Sequence, residues 1–106
     1  MKIQINTDKT IHRDEKHRDI FSSQIEKALD IYQSHVTRVD VHLSDQNGKK
    51  QGWDDILCLL EASLDGRQPI VVSNQANTIE IAVSGAIDKL KAALESVLGR
   101  IQNHHR

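Results

Sequence analysis

Six histidines, one cysteine and two adjacent aspartates are the residues of this chain best suited to chemistry. His12, His17, His35, His42, His104 and His105 could each offer a neutral imidazole to a metal. None stands in an HExxH frame or in a CxxC…HxxxH frame, the spacings that bring ligands together. They read as solvated side chains, and no metal site is assigned. Cys58 would need a histidine brought close by the fold to act as a nucleophile. It stands in an apolar run, where a thiol behaves as a small hydrophobe. Asp54 and Asp55 are neighbours, and neighbours on a strand point to opposite faces. They make no acid–base pair. Gly48 and Gly52 belong to a hairpin loop and not to a phosphate-cradling one. The residues therefore describe a protein that is not an enzyme and needs no cofactor.

Basic residues remain. His12-Arg13-Asp14-Glu15-Lys16-His17-Arg18-Asp19 mixes both signs and reads first as a solvated helix face. Lys49 and Lys50 fall in the hairpin loop, Arg67 in the next turn, and Lys89, Lys91 and Arg100 on the last helix. The net charge is −1, so composition alone does not call for nucleic acid. A basic patch on one face is compatible with it.

The elements that must position these residues are legible. A chain of 106 residues with 27% charged and 3% aromatic residues suits one domain, residues 1–106, around an aliphatic core. A single cysteine allows no internal disulfide. Met1 to Asn6 alternates and lacks an apolar h-region, so it reads as a strand and not a signal peptide. No apolar run is long enough to span a membrane. The chain reads as cytoplasmic, with no membrane partner.

Residues 2–6 make the first strand, and a helix is expected from about Asp14 to Ser34. Its stripe is Phe21, Ile25, Ala28, Leu29 and Tyr32. Strand two spans about 36–45 and buries Val39, Val41 and Leu43. Asn47-Gly48 follows as a strong hairpin signal. Strand three spans about 54–64 and strand four about 68–74, with Asp65-Gly66-Arg67 between them. Pro69 suits only a strand start or an edge. The last helix begins near Asn77 or Thr78, and Glu80 stands in capping-box spacing from Asn77. Ile87, Leu90, Leu94, Val97, Leu98 and Ile101 form its apolar stripe. Gly85 costs roughly 1 kcal/mol there against alanine, which points to close approach of the first helix. The result is an α+β fold, β-α-β-β-β-α: a four-stranded sheet with two helices packed on one face.

Parity along strand three adds a second surface. Ile56, Cys58, Leu60, Ala62 and Leu64 share the face assigned to the helices. Leu57 and Leu59 then point to the open face, in phase with Trp53 and joined by Val71. A solvated sheet face should alternate apolar with polar, and an apolar patch of this kind often marks an interaction site. Copies of the chain could pair weakly through Leu57, Leu59, Val71 and Trp53.

Three stretches resemble the ribosome hibernation-promoting factor and ribosome-associated inhibitor family, also called sigma-factor modulation proteins, in its short form. They are Val36-Thr37-Arg38-Val39-Asp40-Val41-His42-Leu43, Cys58-Leu59-Leu60-Glu61-Ala62-Ser63-Leu64 and Ala86-Ile87-Asp88-Lys89-Leu90. The resemblance covers nearly the whole chain and rests on the order and spacing of these motifs. It implies a fold like that of dsRNA-binding domains. It implies binding to the small ribosomal subunit, where the protein would block the decoding channel and silence idle ribosomes. Basic side chains would meet rRNA phosphates, largely without base readout. Lys89 matches the Asp-Lys-Leu core directly. Lys91 and Arg100 stand near it, and Arg18 and Lys16 supply the first helix. The chain departs from the family pattern in the turns after Leu90, where Ala92, Ala93, Glu95 and Ser96 replace basic residues. An alternative is a protein–protein interaction module of the same fold, acting through the open apolar sheet face.

Overall fold

The computed structural model describes residues 1–7, 15–45 and 56–99. Its elements follow the order β1 (Lys2–Thr7), α1 (Glu15–Ala28), β2 (Val36–Asp45), β3 (Ile56–Leu64), β4 (Ile70–Ala76) and α2 (Ile79–Leu94). The four strands form one sheet in the order β1-β2-β3-β4. β1 pairs parallel with β2, which requires a crossover, and α1 supplies it. The remaining pairs are antiparallel. The α+β class and the β-α-β-β-β-α order are those read from the sequence.

Register decides the faces. Ile3 pairs with Val39 and Ile5 with Val41, while Val41 pairs with Leu60 and Leu43 with Cys58. All of these point to the helices. The core is aliphatic apart from Phe21 and Tyr32, and no polar or charged side chain of a described residue is buried in it. A bulge lies between Val36 and Arg38. There the Thr37 hydroxyl donates to the Ser63 carbonyl at 3.2 Å, tying the irregular residue across to β3. Gly66 turns the chain between β3 and β4 with φ 73°, a conformation that costs glycine little.

Two boundaries differ from the sequence reading, and a third falls on one of its two alternatives. α1 stops at Ala28 and not near Ser34, and a 3₁₀ turn over Asp30–Tyr32 follows. The apolar stripe continues through the change: Leu29 and Tyr32 are buried although the helix has ended. β4 runs over Ile70–Ala76 and not 68–74. Asn74 and Ala76 stay paired with Cys58 and Ile56, and Pro69 sits just before the strand. The N-cap of α2 is Thr78, whose hydroxyl accepts from the Ile81 N–H at 3.2 Å. That places Glu80 one residue short of capping-box spacing. A wider π-type turn over Glu95–Gly99 extends α2 and buries Leu98.

α1 lies along β1, and α2 lies across β3 and β4. Gly85 makes a close approach, but its neighbour is β4 and not the first helix. A methyl group there would sit 2.7 Å from Asn74 Cγ. Asn74 uses the space to donate to the carbonyls of Ile81 and Ala82 at 3.4 and 3.3 Å. The Asn47-Gly48 hairpin expected after β2 lies outside the described residues. No helix among the described residues is long and apolar enough to cross a membrane.

Candidate nucleic-acid interface

Among the described residues, Lys89, Lys91 and Arg18 do not form one cluster. Lys89 and Lys91 are both exposed on α2, but two residues on a helix are about 200° apart. The buried stripe of Ala82, Val83, Ala86, Ile87, Leu90 and Leu94 runs between them. Lys89 leans to the β4 side, where its ammonium donates to the Ser73 carbonyl at 2.9 Å. Lys91 stands on the opposite flank. The Lys89 bond uses one of three ammonium donors and holds the side chain in one place.

Arg18 is at the other end of the sheet. It lines a cleft of about 240 Å³ with Ile3, Ile5, Asp19 and Ser22, and a neighbouring one of about 180 Å³ with Gln4, Ile5, Asn6 and Thr7. Three strand spacings, roughly 14 Å, separate β1 from the β4 edge that Lys89 caps. Arg18 and Lys89 could therefore reach phosphates only at different points of a backbone. Lys16 belongs to α1, with its side chain outside the described part; Arg100 and Trp53 are outside the described residues. The sequence reading passed over Lys27, exposed on the last turn of α1 beside Ile20, Ser23 and Gln24. Its signal was available, since Lys27 falls about 200° from Ile25 and so on the outer side of the helix. Carboxylates alternate with these cations: Asp19 and Glu26 on α1, Asp88 and Glu95 on α2.

The open face of the sheet divides into two halves. On β1 and β2 it is polar. Arg38 Nε donates to both carboxylate oxygens of Asp40 at 3.0 Å, and Arg38 Nη2 lies 2.9 Å from Oδ1. Arg38 Nη2 also donates to Gln4 Oε1 at 2.6 Å. The Arg38 charge is thereby paired within the sheet. Asp40 stands directly opposite Glu61, so the middle of this face also carries two carboxylates. On β3 and β4 the face is mixed: Leu57 and Leu59 are half-buried and Val71 is 55% exposed, with Glu61, Ser73 and Gln75 set directly across from Val71, Leu59 and Leu57.

Among the described residues, groups suited to catalysis are not gathered into a metal-holding cluster. Cys58 is fully buried, and desolvation pushes its thiol up to about 12. Thiolate, the nucleophilic form, is thus disfavoured near neutrality. The Tyr32 phenol is also raised, first by burial and then by the Glu95 charge. His42 is exposed on the open face, opposite Asn6 and Leu59, and His35 ends the turn before β2. Among the described residues no three His, Cys, Asp or Glu side chains are grouped so as to hold a metal ion.

Comparison with known proteins gives one family and one fold. The family model described as sigma 54 modulation protein / S30EA ribosomal protein matches residues 3–102. The N-terminal domain of Protein Y from Thermus thermophilus superposes with a TM-score of 0.72 at 19% identity, over 92% of this chain and 99% of that one. A ribosomal subunit interface protein from Coxiella burnetii superposes with a TM-score of 0.78 at 11% identity, over 93% of this chain and 99% of that one. At those identities the likeness is one of fold. No curated protein matches the chain.

Proposed function

The chain belongs to the sigma 54 modulation protein / S30EA ribosomal protein family, and we propose that it is a translation inhibitor that binds the small ribosomal subunit and occludes the decoding channel in idle cells. A ribosome-associated family supports the coarse role and a cytoplasmic location, and it fits a protein without catalysis. The observation that carries the finer reading is the extent of the match, which takes in every strand and both helices. In this reading the fold is a rigid plug and the chemistry is charge. Lys91, Lys89 and Arg18, with Lys16 and Arg100, meet rRNA phosphates at separate points. Carboxylates between them keep each contact a single one. Such binding is sequence-independent and salt-sensitive.

The test is sedimentation of stationary-phase lysate on a sucrose gradient. The protein should travel with small subunits at low salt and leave them as salt rises. Migration only at the top of the gradient, at every salt concentration, would overturn the reading. The apolar residues within the β3–β4 half of the open face support a second reading, an interaction module that pairs copies of the chain through Leu57, Leu59 and Val71. That reading requires Leu59→Glu to abolish self-association while small-subunit binding is absent from the outset.

A further inference from the structure

The two edges of the sheet are protected differently. β1 carries Lys2 among its six residues, with Arg18 of α1 beside it. β4 reads Ile-Val-Val-Ser-Asn-Gln-Ala, without a charge or a proline. An unpaired edge offers a row of N–H and C=O groups to any other strand, and charged residues or proline are the usual defences. Pro69 stands just outside the strand. The defence of β4 comes instead from α2, through the 2.9 Å bond of the Lys89 ammonium to the Ser73 carbonyl.

That bond marks Ser73 as a residue whose backbone groups point away from β3. Alternation puts Val71 and Gln75 in the same phase. Ser73 is the middle residue of the strand, so one ammonium stands at the centre of the exposed row. The occupant this edge fits best is β4 of a second copy. Antiparallel pairing about a two-fold axis at Ser73 would set each Val71 opposite the other copy's Gln75, with no charged side chain of β4 in the way. It would also bring two Lys89 ammonium groups together at the axis and detach each from its carbonyl. We infer that Lys89 is the gatekeeper of the β4 edge, holding β4 back from antiparallel pairing with β4 of a second copy. The inference concerns the free protein and does not depend on ribosome binding.

Sedimentation equilibrium of the full chain tests it, with folding of each variant checked by circular dichroism. Lys89→Met keeps the apolar stem and loses the charge; it should tighten self-association by about tenfold or more relative to wild type. Lys91→Met removes a charge from the opposite flank of the same helix and should leave association as it is. Lys89→Arg keeps a cation at the edge and should behave as wild type. Adding Ser73→Pro to Lys89→Met removes an outward N–H without touching the β3 ladder, and should reverse the gain. Gln75→Lys, which alters no backbone group, should reverse it too. The inference is overturned if Lys89→Met associates no more than wild type, or if Lys91→Met matches it. It also falls if association survives both Ser73→Pro and Gln75→Lys.

Discussion

The two helices cover one sheet unequally and by different means: α2 lies across β3 and β4, and α1 meets mainly β1. α2 presents small residues to β4. Gly85 and Ala82 allow the backbones close enough for Asn74 to reach helix carbonyls, and Lys89 returns a bond to the strand. α1 meets the sheet through larger groups, Phe21 and Ile25, with Leu29 and Tyr32 following after the helix ends. Clefts open beside it along β1, and Arg18 lies in them. α2 is thus tied to β4 in both directions, by the Asn74 bonds to the helix and by the Lys89 bond to the strand.

The largest expected effect would break this picture at its base. Leu90 is fully buried at the middle of the α2 stripe. Leu90→Ala should cost about 2–5 kcal/mol in urea unfolding, from lost transfer energy and the cavity left behind. A loss below about 1 kcal/mol would mean that α2 is not seated as described.

The floor under α2 offers a pH test. The Cys58 thiol is held near 12 when folded, against 9 as the ordinary value. Below pH 9 both states keep the proton. Above 9 the unfolded chain releases it and the folded chain does not, so unfolding becomes easier as pH rises toward 12. The slope should be at most about 1.4 kcal/mol per pH unit. Cys58→Ala should lack that component when the two stability profiles are subtracted. Parallel profiles between pH 9 and 11 would show that the thiol titrates alike in both states.

Gly85 sharpens the contrast between the helices. In the presence of Asn74, Gly85→Ala gains helix propensity but forces the amide away from the Ile81 and Ala82 carbonyls. In an Asn74→Ala background the same change should stabilise by about 1 kcal/mol, because only the propensity gain remains. With Asn74 present that gain should vanish or reverse, a coupling of about 1 kcal/mol or more. Additive effects in a double-mutant cycle would remove the Asn74–Gly85 contact from the account.

These residues also mark how far the sequence could be read. β2 was bounded correctly at 36–45 because its alternation is clean and ends at a turn signal. The end of α1 was not, because apolar spacing reports which side chains face the core and not whether the backbone is still helical. Leu29 and Tyr32 keep the stripe after the helix stops. β4 lies two residues later than its apolar run suggests, since Gln75 and Ala76 look like loop and only their register with Leu57 and Ile56 continues the strand. Gly85 announced a close approach but could not name the neighbour, because Asn74 comes from another element. The same limit applies to the candidate site. Exposure of Lys89 and Lys91 was legible from helical spacing, while the tie of Lys89 to Ser73 depends on which strand α2 happens to cover.

The smallest effect on stability carries the sharpest functional comparison. Lys89 and Lys91 flank the buried stripe on opposite sides, so each would meet its own phosphate and neither would substitute for the other. Small-subunit affinity should fall with salt, and each lysine should contribute about 0.7 to 0.9 to the log–log slope. Lys89→Ala and Lys91→Ala should each lower the slope by that amount, and the double variant by about 1.4 to 1.8, since separated charges act independently. Arg18→Ala, on the other helix, should add a third step of the same size. Nanomolar protein keeps self-association through β4 out of the measurement. Folding stability should change by about 0.5 kcal/mol or less for Lys91→Ala, an exposed surface substitution. Lys89→Ala should cost somewhat more, on the order of 1 kcal/mol, because it also releases the Ser73 carbonyl. Slopes that respond to Arg18 but not to the α2 lysines would move the phosphate contacts to α1. Slopes unchanged in all three variants would leave these cations as a solvated surface and bring the sheet-face reading forward.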